Sequence, residues 1–568
     1  MFCLALAHCV VYCVDMYIAR ASWPSTNGKS YQSIYLRESY RDGPHVRKRN
    51  IANLTHCDPK EIAAIELALR HKNNLTALAS LEQIELHQGP SVGAVWTVYQ
   101  VAQRLGLRKI LGDEFSGHLA LWQVLARVLE QGSRLSAVRL AQVHAAGAVL
   151  GWQRGFDEND LYDNLTWLSE QQKDIENRLF ARRGKEKPQL FLYDVTSSYL
   201  EGEHNALGAY GYGRDGKKNK KQIVIGLLCD QGGEPVSVEV FRGNTQDTQT
   251  FAAQVNKASE RFGCERVTFV GDRGMIKSGQ IAELVKVGFH YITAITKPQI
   301  ETLLKAGIFQ MELFDSAVCE VTQDGVRYVL RRNPVRAEEL AASRADKQAR
   351  VEHFIAERNG YLGEHPRAAV VTAEKAVRAR IQRMKIDDWL QVEVQGRTLA
   401  LPVDSAAREQ AARLDGCYVI KTDLPVSAAS KQEVHDRYKD LTQVEQAFRT
   451  CKTTHLETRP IHVRTAAHTR AHVLVVTLAY LIRRVLSQAW AALDVTVEEG
   501  LQQLKALSST EMKSNDGGNG GSCLRIPTPN PACRDLLQAL DIRLPDVLPN
   551  VKVRVDTRKK LQERRKPR

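Results

Sequence analysis

The 568-residue chain lacks several features that would place it in a class at once. Its eleven cysteines form no Cys-x-x-Cys pair and no Cys…His zinc spacing, which argues against a disulfide scaffold and a structural zinc site. Cys229 and Cys417 stand in apolar, strand-like runs and read as core fillers. The expectation is a protein of a reducing, cytoplasmic compartment. No apolar run reaches the roughly 18–20 residues that span a bilayer. "HVLVVTLAYLIRRVL" comes nearest and reads as a buried helix, so no membrane role is expected. Acidic charge is also short: 65 acidic residues against 79 basic ones leave a net +14. A surplus of this kind points to a polyanion, most often nucleic acid.

The basic surplus is clustered. "RDGKKNKK" (Arg214–Lys221) holds five bases and one acid, and the tail "VKVRVDTRKKLQERRKPR" holds nine bases and two acids. The tail reads as a disordered arm that touches phosphates without sequence preference. The opening "MFCLALAHCVVYCVD" has neither a basic n-region nor a small-residue cleavage site. A weak secretory signal is one reading; a translation start at Met16 is preferred.

Length and composition predict several domains. Residues 1–55 are an extension and a β-hairpin, with "RDGP" as the turn. Residues 56–185 are mainly helical, opened by Asp58 as N-cap, Pro59 and Glu61, and are the expected DNA-end-binding region. Within them, "VWTVYQVAQRLGLRKILG" fits either a helix-turn-helix or a plain helical hairpin. From Gln189 the order is β-β-β-α-β-α-β. It predicts an α/β fold with a mixed sheet and helices on both faces, the order of the ribonuclease-H-like fold. Residues 186–296 and 416–495 form this core. Residues 297–415 are an inserted subdomain, and 496–568 a flexible linker with the basic tail.

"LFLYDVTSSYLEG" (Leu190–Gly202) places Asp194 inside an apolar strand, which is costly unless a base, hydrogen bonds or a metal compensates the charge. Asp272 ends the fourth strand in "VGDRGM". Strands one and four are expected to be neighbours, so the two carboxylates converge and repel unless a cation lies between them. Such hard oxygen donors suit Mg²⁺ or Mn²⁺. The alternative is that each is a local cap or turn former, a stronger case for Asp272, before its glycine turn, than for Asp194. In "YKDLTQVEQAFRTCK", Tyr438, Glu445 and Lys452 recur every seven residues, close to two helical turns, and so share one face. That face suits a metal and a phosphate, although a solvated helix face has the same spacing.

These stretches resemble the DDE-type transposases of bacterial insertion sequences, specifically the group with a Tyr-Arg-Glu-Lys helix. Tyr438, Glu445 and Lys452 match that signature, and Leu441 stands where the arginine is expected. "GYGRDGKKNKKQIVIGLL", "FRGNTQDTQTF" and "HVRTAAHTRAH" add to the likeness, as does the long separation of Asp272 from Glu445. It covers about residues 16–490.

The resemblance implies that Asp194, Asp272 and Glu445 hold two divalent ions. It implies in-line cleavage of DNA at inverted-repeat ends, followed by strand transfer into target DNA, with a homodimer bridging the paired ends. DNA contacts are expected from Tyr438, Lys452, Arg449, Arg214, Lys217, Lys218, Lys220, Lys221, Arg273 and Arg464. Asp247 reads as structural. The competing readings are a metal-dependent nuclease without strand transfer and an inactive relic that binds ends and represses.

Overall fold

The computed structural model describes residues 15–24, 30–42, 45–70, 72, 84–184, 187–217, 219–453, 455–459, 461–514, 522–551, 555 and 557. The first fourteen residues, Lys218 and most of the basic tail lie outside this set. The chain divides into two compact units. One comprises Met1–Trp96, Gln142–Gln153 and Gln502–Val553; the other comprises Thr97–Ala141, Arg154–Leu501 and Arg554–Arg568.

In the first unit the expected hairpin is present, with Asp42 facing His45 across its end. A third strand, Asp15–Pro24, pairs antiparallel with Ser30–Asp42. The helix Pro59–Arg70 starts as its residues dictate: Asp58 accepts from Lys60 N at 2.8 Å, and Glu61 accepts from Asp58 N at 3.1 Å. A second, four-stranded sheet runs in the order Val547–Pro549, Ser522–Arg525, Ser508–Ser514, Ile84–Ser91. The stretch from residue 496, expected as linker and tail, therefore carries ordered elements through Pro549. Only residues 515–521 of its glycine-rich run fall outside the described set. The cause is non-local: Ser508–Ser514 is held by Ile84–Ser91, more than 400 residues away, and no local pattern reports such a partner.

The second unit is built on an eight-stranded mixed sheet. Its strands are β1 (Leu190–Tyr199), β2 (Gln222–Asp230), β3 (Pro235–Arg242), β4 (Thr268–Val270), β5 (His290–Ala294), β6 (Cys319–Gln323), β7 (Val326–Arg332) and β8 (Cys417–Thr422). The spatial order is β6-β7-β8-β5-β4-β1-β2-β3. β1, β4 and β5 are parallel neighbours, and the remaining pairs are antiparallel. Phe191, Tyr193 and Val195 of β1 point to one face, into a core with Phe251, Val255, Phe269, Leu284 and Phe289. Side chains alternate along a strand, so Leu192, Asp194 and Thr196 belong to the other face.

That other face receives three helices: α1 (Lys431–Lys439), α2 (Leu441–Lys452) and α3 (Ala466–Trp490). α1 and α2 replace one expected continuous helix. The break falls at Asp440, where Gln443 N bonds Asp440 O three residues back and Thr442 Oγ1 bonds Lys439 O. α3 is long and apolar enough to cross a membrane by length and composition, but 72% of that span is buried, and it packs on helices Phe115–Leu129 and Glu158–Ala181 as a core element.

Between β5 and β8 the chain returns to the sheet as β6 and β7. It then forms helices Pro334–Glu364 and Val370–Met384 around a separate core that includes Val351, Val377, Ile381 and Trp389. In the ambiguous region at 95–112, the helix after Gly106 is only Leu107–Leu111, with Leu107, Ile110 and Leu111 buried. Three of its five residues thus belong to the core, with Arg108 and Lys109 on its open side.

Candidate active site

Sheet register brings the first two carboxylates together. β1 and β4 run parallel with Leu192 opposite Val270. Asp194 and Asp272 each lie two residues further along, Asp194 in the middle of β1 and Asp272 just past the end of β4. Asp272 opens a turn: its Oδ1 accepts from Arg273 N at 2.7 Å, and its carbonyl accepts from Met275 N and Ile276 N. Asp194 Oδ1 accepts from Val195 N at 2.8 Å. α2 lies over β1 and supplies Glu445. All three acids line one cleft of about 750 Å³, together with Tyr438, Leu441, Arg449 and Lys452. The seven-residue spacing thus delivers one face across the α1–α2 break.

The electrostatics agree with that convergence. Burial pushes the Asp194 carboxyl up to about 7; the nearby Asp272 and Glu445 charges push the same way, against Val195 N–H and Arg214. The Tyr438 phenol is held well above its ordinary range, first by burial and then by Asp272, with Glu445 and Asp194 adding to the effect and Arg273 opposing it. Among the described residues no three His, Cys, Asp or Glu side chains stand in a ready-made metal cage. The acids share a cleft without closing about one point. The donor set is oxygen only, and one of its members is destabilised as an anion. That chemistry fits hard divalent cations.

Three cations in the cleft are already engaged. Lys452 Nζ is 2.6 Å from Asp215 Oδ1 and donates to Thr196 Oγ1 at 2.8 Å. Arg459 reaches the same Asp215 oxygen at 2.5 Å, and Asp215 also accepts from Tyr199 N. Arg214 pairs with Asp247 at 2.6 Å. Asp247 begins the helix Asp247–Asn256, and it also stands close to the acids. A β-carbon on Gly274 would lie 3.8 Å from an Asp272 carboxylate oxygen and 3.9 Å from an Asp247 one.

Asp215 and Arg459 are charged cleft residues absent from the sequence-based expectation, and Asp247, expected as structural, both starts its helix and lines the cleft. The sole acid within a basic run was a usable signal for Asp215; Arg459 had none.

The other basic residues are more scattered. Arg449 is exposed in the cleft. Arg273 is exposed beside Asp272. Lys217 Nζ lies over the Tyr199 ring at 5.9 Å, Lys220 pairs with Glu201 at 3.3 Å, and Lys221 donates to Glu203 O at 3.2 Å. Arg464 is not brought to the cleft; it lines a separate recess. Lys218 lies outside the described residues.

Residues 185–482, just over half of the chain, match the family model described as "Transposase DDE domain". The chain belongs to the DDE transposases. Residues 24–81 match a second model, the N-terminal domain of the IS1634 family of transposases, which makes it an insertion-sequence transposase. No curated protein matches. Among solved structures, the chain is similar to a piggyBac transposase synaptic complex with hairpin DNA, at 9% identity and a TM-score of 0.35, over 72% of this chain and 75% of that one.

Proposed function

We propose that this transposase cuts DNA at the ends of its own element and joins the freed ends to target DNA. The placement of Asp194 and Asp272 at matched positions on two parallel strands, facing the helix that carries Glu445, supports this reading more than any other observation. Asp194, Asp272 and Glu445 are the residues that would hold two divalent ions, Mg²⁺ or Mn²⁺. Such ions supply charge neutralisation at the attacking and leaving oxygens of a phosphodiester.

The chain's own residues position the DNA. Tyr438 keeps its proton and serves as a hydrogen-bond donor beside the acids. Arg449 meets a backbone phosphate directly. Lys452 and Arg459 turn from Asp215 toward phosphate, and Arg214 does so from Asp247. These groups act by orientation and charge. Lys217, Lys218, Lys220, Lys221 and Arg273 extend the contact along the strand.

Within residues 297–415, β6 and β7 join the sheet and the helices and separate core between β7 and β8 act as an insertion in a ribonuclease-H-like core, and 56–185 help hold the element end. A homodimer bridges two ends in the cytoplasm, on the nucleoid.

The test is a labelled duplex carrying the gene's own flanking end, incubated with the protein in Mg²⁺ or EDTA, with Asp272→Asn alongside. A metal-dependent nick at the repeat edge, absent in the variant, is expected. Nicking without joining to a second duplex would leave a nuclease. Binding with no cut in any condition would leave an end-binding relic.

A further inference from the structure

Away from the acidic cleft, the same unit holds a recess of about 850 Å³ lined by basic side chains. Arg127 projects from helix Phe115–Leu129 and Arg134 opens helix Arg134–Val143. Each is only 6% exposed. Arg127 donates to Gly132 O at 2.9 Å, and its Nε has no partner. Arg134 meets only the ring of His472, at 3.3 Å. Among the described residues neither arginine forms an ion pair with a carboxylate. Glu457, exposed at the rim, acts on Arg127 through charge alone.

The start of the 25-residue α3 also opens here, capped by Thr465 Oγ1, which accepts from His468 N at 3.1 Å. Its unpaired backbone N–H groups add positive potential. Arg464, His462 and His468 complete the wall. Burial lowers Arg127 to about 10 and Arg134 to about 9, so both remain charged at neutral pH, next to each other, with the charge of Glu457 felt only by Arg127 and at longer range than an ion pair. Buried charge of this kind is costly unless compensated. Planar guanidinium forks beside a helix N-terminus match a tetrahedral oxyanion.

We propose that this recess is a phosphate-binding site, separate from the catalytic cleft, that takes a backbone phosphate of the DNA. The choice of DNA over free phosphate rests on the reading of the protein as a DNA-joining enzyme. The site itself rests on the two buried arginines.

The test uses the full chain in EDTA, as wild type, Arg134→Met, Arg464→Gln and Asp272→Asn. The first readout is the melting temperature against inorganic phosphate at constant ionic strength. Wild type and Asp272→Asn are expected to show a saturable rise of several degrees that Arg134→Met lacks. The second is affinity for the end duplex across a salt series. The slope of log K against log salt should fall by about 0.9 for the lost phosphate in Arg134→Met, with about tenfold weaker binding at fixed salt. Arg464→Gln, at an exposed position, gives the same slope change if Arg134→Met fails to fold.

No saturable phosphate response in wild type, or an equal one in Arg134→Met, overturns the site. A phosphate response with an unchanged DNA slope assigns a free anion and overturns the DNA assignment. Failure to cleave DNA, with both binding results intact, would count against the proposed catalysis and leave this site standing.

Discussion

The acidic cleft and the basic recess treat positive charge in opposite ways. In the cleft, Lys452 and Arg459 share Asp215, and Arg214 has Asp247. In the recess, Arg127 and Arg134 are more deeply buried and, among the described residues, form no ion pair with an acid. A paired cation is stable at rest and must leave its partner to hold a ligand. An unpaired buried cation destabilises the resting protein and gains stability when an anion arrives. On the proposed reading, the cleft is organised around carboxylates that take cations, and the recess around cations that take an anion.

The strongest way to break this comparison is to remove a carboxylate that, among the described residues, forms no ion pair. Asp194→Asn should lower end cleavage by at least about 1,000-fold, the scale seen when preorganised transition-state electrostatics are lost, as read by gel assay in Mg²⁺. The same change should leave the metal-free melting temperature unchanged or higher, because a neutral amide relieves the repulsion from Asp272 and Glu445. Asp215→Asn tests the paired side. It strands Lys452 and Arg459 beside a side chain that is 3% exposed, and should destabilise the fold by about 3 kcal/mol, the usual effect of removing one partner of a buried pair. Denaturant titration measures it.

Arg134→Met should do the reverse, stabilising the DNA-free chain by about 2 kcal/mol, since replacing an unpaired buried charge with a packed apolar side chain is often favourable. Loss of stability would count against the contrast.

A pH series sharpens the same point. Asp194 stands at about 7 in the folded chain and near 4 when unfolded, so the folded state binds the proton more tightly. Its contribution to stability is complete below about pH 4 and is lost as pH rises through 7. Melting of the metal-free protein should show this decline, and Asp194→Asn should flatten it. The smallest effect is expected from Leu441→Arg, which adds an unpaired cation at the first position of α2 in the cleft. It should tighten DNA binding a few-fold and steepen the salt slope by about 0.9.

What the sequence made legible was local. The five core strands stand out as short apolar runs, and Asp194 is conspicuous because a charge interrupts one of them. The period of seven in Tyr438, Glu445 and Lys452 survives a helix break because Asp440 stays in helical conformation. What stayed hidden depends on distant partners. Nothing near Arg459 announces Asp215, and nothing near "HVRTAAHTRAH" announces two arginines more than 300 residues earlier. The resemblance groups Arg464 with the cleft's DNA contacts, and the fold places it in a different cavity. The glycine-rich run after Lys513 looked like a linker because its flanking strands are short and polar, and their partner is Ile84–Ser91.

That last pairing sets a timetable for synthesis. The sheet joining residues 84–91 to 508–549 cannot form until almost the whole polypeptide has left the ribosome. The eight-stranded sheet has all its strands by Thr422. A nascent chain can thus complete the sheet that bears Asp194 while Ile84–Ser91 still waits, as an unpaired edge, for the strand that will cover it.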